Sequence, residues 1–157
     1  MKAGESGRSG LLETRAGDQG IDETRMGSVI RYSLGRIRVY RIPVQCFPGH
    51  FTNVYLILDG DRVTLVDVGF NSDQARDDLL RGFDTVSEGF GEDIRLPDVQ
   101  NIVITHGHGD HFAMLGYEEL KGRTVYMNPV DSPVVSDYYG QYCRWRDYLR
   151  VLVDEAG

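Results

Sequence analysis

Long apolar runs are missing from this chain. No uninterrupted stretch of its 157 residues is long enough to cross a bilayer, so a helical membrane span is excluded. A basic surplus is missing too. With 17 Lys and Arg against 24 Asp and Glu, the net charge of -7 repels phosphate backbones and anionic lipid, and no basic patch offsets it. Cysteine is scarce: Cys46 and Cys143 lie far apart with no pairing or ligand spacing around either. Both are read as buried free thiols of a reducing compartment, and the expected location is cytoplasmic. The first 27 residues contain no aromatic side chain and lack the apolar central segment of a secretory signal. They can bury little, so residues 1–27 are expected to form a disordered N-terminal tail, with Met26 as an alternative start of translation. No internal repeat or low-complexity tract interrupts the remainder.

What is present suits one globular domain over residues 28–157, with 41% apolar and 26% charged residues. "SVIRYSLGRIRVYRIPV", from Ser28, alternates β-branched and aromatic residues with arginines about Gly35, which predicts two short strands. "TNVYLILDGDRVTLVDVG" places Asp59-Gly60-Asp61 between two apolar runs and predicts a hairpin. Ser72 is placed to cap a helix whose apolar residues Ala75, Leu79, Leu80 and Phe83 recur at helical spacing. A glycine-rich loop through Gly89 and Gly91 is expected next, then a buried strand at "NIVIT". "HFAMLGYEELKG" reads as a short helix, "RTVYM" as a strand, and the segment from about Val134 to Glu155 as a helix. The expected class is α/β (α+β), a sheet covered by helices.

Three of the four histidines fall within "THGHGDH", residues 105–111. His106 and His108 are two apart at the end of an extended run, a spacing that puts both side chains on one face. Gly107 and Gly109 permit tight turns and leave room above the strand end. Asp110 and His111 follow where the chain bends into the next helix, so their side chains reach the same space from another side. Imidazole and carboxylate donors without thiolate suit zinc, iron or manganese, and a site not filled by protein ligands keeps a position for water. A divalent ion lowers the pKa of bound water to about 7 and polarises a carbonyl or phosphoryl oxygen, so metal-assisted hydrolysis is the expected reaction class.

"THGHGDH" matches the T-H-x-H-x-D-H signature and resembles the metallo-β-lactamase fold hydrolases, among them glyoxalase II type thioesterases, lactonases, β-lactamases and some nucleases. "TNVYLI" at 52–57 and "LVDVG" at 65–69 resemble two further strands of that family, in the same order. The resemblance implies an αββα sandwich. It also implies one or two Zn2+ ions: His106 and His108 on the first, Asp110 and His111 on the second, with a bridging hydroxide as nucleophile. Asp110 would steer the proton as a catalytic residue, and Asp67 would brace the metal loop from behind the ligands. Read without the resemblance, Asp67 is a turn residue.

The resemblance covers residues 28–157, the first half to two thirds of such a domain, and the chain has no histidine after His111. Each ion would have two protein ligands where catalytic zinc commonly has three, so a partner chain or the missing C-terminal half is expected to complete the site. The expected function is hydrolysis of an ester, thioester or lactone-type carbonyl in a small-molecule substrate. The alternatives are a non-catalytic truncated relic or interaction module and a nucleic-acid phosphodiesterase, which the acidic balance disfavours. Tyr138, Tyr142, Trp145, Leu149 and Leu152 form one helical stripe, read as core or interface packing rather than a substrate wall. His50, between proline and glycine on one side and the hairpin on the other, is read as a surface histidine, and Asp131 as a helix start or turn.

Overall fold

The alternating pattern of residues 29–66 becomes an antiparallel meander, because period-two apolar side chains bury one face of a sheet. The computed structural model describes residues 12–15 and 28–156. Its strands are β1 (Leu12–Arg15), β2 (Ile30–Leu34), β3 (Ile37–Phe47), β4 (His50–Asp59), β5 (Arg62–Val66), β6 (Asn101–Ile104) and β7 (Thr124–Met127). They form a single sheet in chain order, antiparallel from β1 to β5 and parallel from β5 through β6 to β7. The expected tail of residues 1–27 lies outside the described residues, apart from Leu12–Arg15, which pair with β2 at the sheet edge.

Gly60, at φ +60°, makes the turn between β4 and β5, as the Asp-Gly pair predicts. In β4 the buried residues are Thr52, Val54, Leu56 and Leu58, every second position. On β3 Tyr40, Ile42, Val44 and Cys46 do the same. Against this face packs α1 (Asp73–Asp84), capped by the Ser72 hydroxyl, which accepts from the Ala75 amide at 3.2 Å. Ala75, Leu79 and Phe83 of α1 are buried with Val86 beyond it, each large side chain worth roughly 1.5–3 kcal/mol on removal from water. Asp78, fully buried on α1, accepts from the Gln45 amide at 2.9 Å. That bond holds β3 at the point where its register with β4 shifts, between Gln45 and Phe47.

Three expected elements differ. The glycine-rich loop begins later, because one wider helical turn carries on from α1 over Thr85–Gly89, with Val86 buried and the Thr85 hydroxyl donating to the Arg81 carbonyl at 2.9 Å. The short helix after the histidines splits into α2 (Gly109–Phe112) and two tight turns, Ala113–Gly116 and Glu118–Leu120. The last helix divides at Asp137 into α3 (Ser132–Ser136) and α4 (Tyr138–Ala156), where Asp137 Oδ1 accepts from the Gly140 amide at 3.1 Å and so caps α4.

The tyrosine and tryptophan stripe on α4 is not core: Tyr138, Tyr142 and Trp145 are 44%, 48% and 60% exposed, since no described element lies over that face. Leu149 is half-buried, and nothing is described of the Leu152 side chain. Both cysteines are free; Cys46 is buried as expected, whereas Cys143 on α4 is half-buried. No helix among the described residues is long and apolar enough to cross a membrane.

Candidate metal centre

Strands β5, β6 and β7 run parallel, so their C-terminal ends share one rim of the sheet. Asp67 follows β5, Thr105 and His106 follow β6, and Asp131 lies four residues past β7. Because β4 is antiparallel to β5, its first residues, His50 to Thr52, arrive at the same rim.

Asp67 is the one described non-glycine residue with positive φ, +60°, a conformation Asp tolerates better than most. Its side chain is buried and saturated. Oδ1 accepts from the Thr105 amide at 2.8 Å and Oδ2 from the Thr105 hydroxyl at 2.8 Å. His111 Nδ1 lies 2.8 Å from Asp67 Oδ2, so the proton of a neutral His111 ring sits on Nδ1 and the lone pair on Nε2. One carboxylate therefore ties the turn after β6 to α2 and orients an imidazole. The Thr105 hydroxyl also lies 3.0 Å from His106 Nδ1.

His106 Nε2 and His108 Nδ1 stand 3.0 Å apart, and the rings of His106 and His111 are 4.0 Å apart between centroids. Asp110 Oδ2 is 3.5 Å from His111 Nε2. Two donors held tetrahedrally by one zinc at about 2.0–2.1 Å stand roughly 3.4 Å from each other, so each pair has the spacing and donor chemistry of two ligands on one ion. The four side chains are brought to one loop as two pairs: among the described residues no group of three His, Cys, Asp or Glu is arranged to hold a metal ion.

Two residues not read as functional in the sequence reach Asp110. His50 Nε2 lies 3.0 Å from Asp110 Oδ2, and the Thr52 hydroxyl donates to the same oxygen at 2.9 Å. Burial pushes the Asp110 carboxyl upward, but the hydrogen bonds from His50 and Thr52 and the nearness of His111 outweigh it and leave the pKa below the usual value. His50 is thus more than a surface histidine. The only signal for it was its place one residue ahead of the strand "FTNVYLI", whose alternation turns Thr52 inward with Val54. The Cys46 thiol sits 3.6 Å from the Asp110 carbonyl, its pKa raised chiefly by burial, which makes it an inert neighbour. Asp131 starts α3 as read from sequence, yet its side chain caps nothing there; Oδ1 accepts from the Gly107 amide at 3.2 Å and steadies the histidine turn.

Beside the His106 and His108 pair opens a cavity of about 790 Å³, walled by Asp131 and by Tyr138, Tyr142 and Trp145 of α4.

The family model of the metallo-beta-lactamase superfamily matches residues 47–142, more than half of the chain. Among solved structures, a metallo-beta-lactamase family protein of Thermus thermophilus is 29% identical over 50% of this chain and 24% of its own, with a TM-score of 0.43. The hydrolase AbOPH of the beta lactamase superfamily is 16% identical over 66% of this chain and 45% of its own, with a TM-score of 0.51. AidC, a dizinc quorum-quenching lactonase solved with a product, is 12% identical over 68% and 46%, with a TM-score of 0.50. The last two share the fold. This chain spans between about a quarter and a half of the length of these three proteins. No curated protein matches the sequence.

Proposed function

This chain belongs to the metallo-beta-lactamase superfamily, and from that membership we propose a metal-dependent hydrolase acting on an ester, thioester or lactone-type carbonyl of a small molecule. The observation that carries the reading is the gathering of His106, His108, Asp110 and His111 at one strand-end loop, with His111 oriented by a buried carboxylate. His106 and His108 would hold one divalent ion and Asp110 and His111 a second, zinc being the best match to nitrogen and oxygen donors of this kind, with iron or manganese next. Such an ion supplies activated water and polarisation of the scissile carbonyl.

The chain's own groups do the rest. Asp67 keeps the His111 lone pair on Nε2 and facing Asp110. Thr52 and His50 hold Asp110 Oδ2 through bonds that favour its charged form, the form in which a carboxylate would hold an ion. Two donors per ion fall short of the three of a typical catalytic zinc. The remaining donors come from outside these residues, from a partner chain or a C-terminal half.

The test is metal content and chelator-sensitive hydrolysis of simple esters, thioesters and lactones, with partner material added where the chain alone is silent. Replacing His106 and His108 together by alanine should release one ion per chain and abolish turnover; unchanged metal content would overturn the assignment. The pairing of donors in twos also favours a second reading, a non-catalytic interaction module. Stoichiometric metal with no turnover under any complementation would establish that reading instead.

A further inference from the structure

We propose that His50 is a third protein ligand of the ion assigned above to Asp110 and His111. The proposal rests on that assignment and adds to it a donor from this chain.

A cation has a place beside Asp110. Because Asp67 holds the His111 proton on Nδ1, the lone pair of His111 Nε2 faces Asp110 Oδ2 at 3.5 Å. Both atoms are acceptors, and neither satisfies the other without a cation between them. His50 Nε2 meets the same carboxylate oxygen at 3.0 Å, from the first residue of β4. Asp110 Oδ2 is thus common to two imidazole nitrogens, each close to the roughly 3.4 Å that separates two ligands of one tetrahedral zinc.

Among the described residues the three groups do not stand as a finished site, so one of them has to move. His111 is held by the buried Asp67, and its side chain is 22% exposed. The His50 side chain is 54% exposed and follows the turn of Pro48 and Gly49 between β3 and β4. That turn is itself anchored over the loop. Phe47, paired with His50 across the hairpin, packs its ring 4.5 Å from the ring of Phe70, which lies 3.7 Å from where a Cβ on Gly109 would stand. The motion left to His50 is a change of rotamer. While its Nε2 donates to Asp110 it has no lone pair to offer there; as a ligand the ring carries its proton on Nδ1 instead. The Thr52 hydroxyl stays on Oδ2 at 2.9 Å, so Asp110 keeps its orientation when His50 turns to the ion. Three protein donors and a water are the set of a catalytic zinc.

The chain has four histidines, so His106→Ala with His108→Ala leaves His50 and His111 alone. Zinc X-ray absorption of that variant should count two imidazoles on the bound ion, and adding His50→Gln should leave one. Losing a group that only orients a ligand weakens metal binding about 10–100-fold. In competition with a chromogenic chelator, His50→Gln should exceed that range, whereas Thr52→Val, which removes the other bond to the same oxygen, should stay within it. One imidazole with His50 in place, a folded double variant that holds no zinc, or equal losses in H50Q and T52V would each overturn the proposal. A double variant that does not fold is replaced by the unsubstituted chain loaded with two zinc ions, where imidazole scattering unchanged by H50Q overturns it equally. The two readings fail separately. Two imidazoles on a zinc that supports no turnover keep His50 as a ligand and sink the hydrolase, whereas chelator-sensitive hydrolysis with one imidazole on this zinc does the reverse.

Discussion

At the scale of single residues, Asp67 combines a costly backbone with a saturated side chain. Its left-handed conformation costs an alanine roughly 1 kcal/mol more than it costs Asp or Asn, and its carboxylate serves Thr105 twice and His111 once. Asp67→Ala should therefore lose about 2–4 kcal/mol of stability, from unmet donors and backbone strain together. Asp67→Asn keeps the shape and the tolerance of positive φ, so it should lose about 1 kcal/mol less. Both variants should hold metal about 10–100-fold more weakly, because the orientation of His111 is lost in each. Chemical denaturation and competition with a chromogenic chelator separate the two effects. An Asn variant as unstable as the Ala variant would show that the backbone plays no part.

Tyr40 makes a second prediction at this scale. Burial, then the hydrogen bond to Glu92 and that carboxylate's charge, push the tyrosine well above its ordinary value of 10.0. A raised folded pKa favours the protonated form in the native state. The stabilisation is fully present below pH 10 and is lost as pH climbs through the folded value. Tyrosinate absorbance should thus show Tyr40 ionising only as the chain unfolds. Tyr40→Phe should flatten the alkaline fall in stability; an unchanged alkaline limb would place its origin elsewhere.

At the scale of elements, α1 lies so close to β3 that a Cβ on Gly82 would stand 2.2 Å from Ile42 Cγ2, inside a fully buried side chain. Gly82→Ala gains about 0.5–1 kcal/mol of helix propensity and incurs an overpacking cost of about 1–3 kcal/mol, so clash wins and the variant should be destabilised. Gly140 of α4 has a softer neighbour: the atoms nearest its Cβ would be those of the exposed Asp137 carboxylate, which can swing away but gives up its capping bond to the Gly140 amide when it does. Loss of a cap worth about 0.5–2 kcal/mol offsets the helix-propensity gain of about 0.5–1 kcal/mol, so Gly140→Ala should change stability by less than Gly82→Ala, and thermal melts of the two variants would show the difference in size.

Much of this layer was legible in the sequence. The Asp59-Gly60-Asp61 turn, the Ser72 cap and the apolar "NIVIT" strand rest on local chemistry, and each stands where local chemistry puts it. What was not legible depends on distant contacts. Helical continuation past Asp84 follows from burial of Val86 among residues far away in the chain. The bulge near Gln45 needs a carboxylate 33 positions later. The partnership of His50 with Asp110 spans 60 positions and leaves no spacing signal. The cluster of His106, His108, Asp110 and His111 stood out because the four lie within six residues, whereas Asp67, which orients His111, lies 44 positions away.

At the scale of the whole molecule, topology explains why the candidate residues gather at one rim. Where parallel strands end together, the loops that follow form a crevice, and ligands of α/β sheets bind there. Here that rim collects Asp67, Asp110 and Asp131 with the histidines, and the wall of its cavity offers no cation, on a chain of net charge -7. Two acidic scales, local and global, act in the same direction on a polyanion. Ions bound by His106, His108, Asp110 and His111 would offset part of the local charge but add no basic groove along which a phosphate backbone could lie. Neither duplex DNA nor single-stranded RNA should be retained by the metal-loaded protein at low ionic strength, where such binding is strongest. Fluorescence anisotropy with labelled oligonucleotides checks this directly. A complex that weakens steeply as salt is raised would show a basic surface assembled outside the described residues and would put phosphodiester hydrolysis ahead of carbonyl hydrolysis among the reactions proposed for this loop.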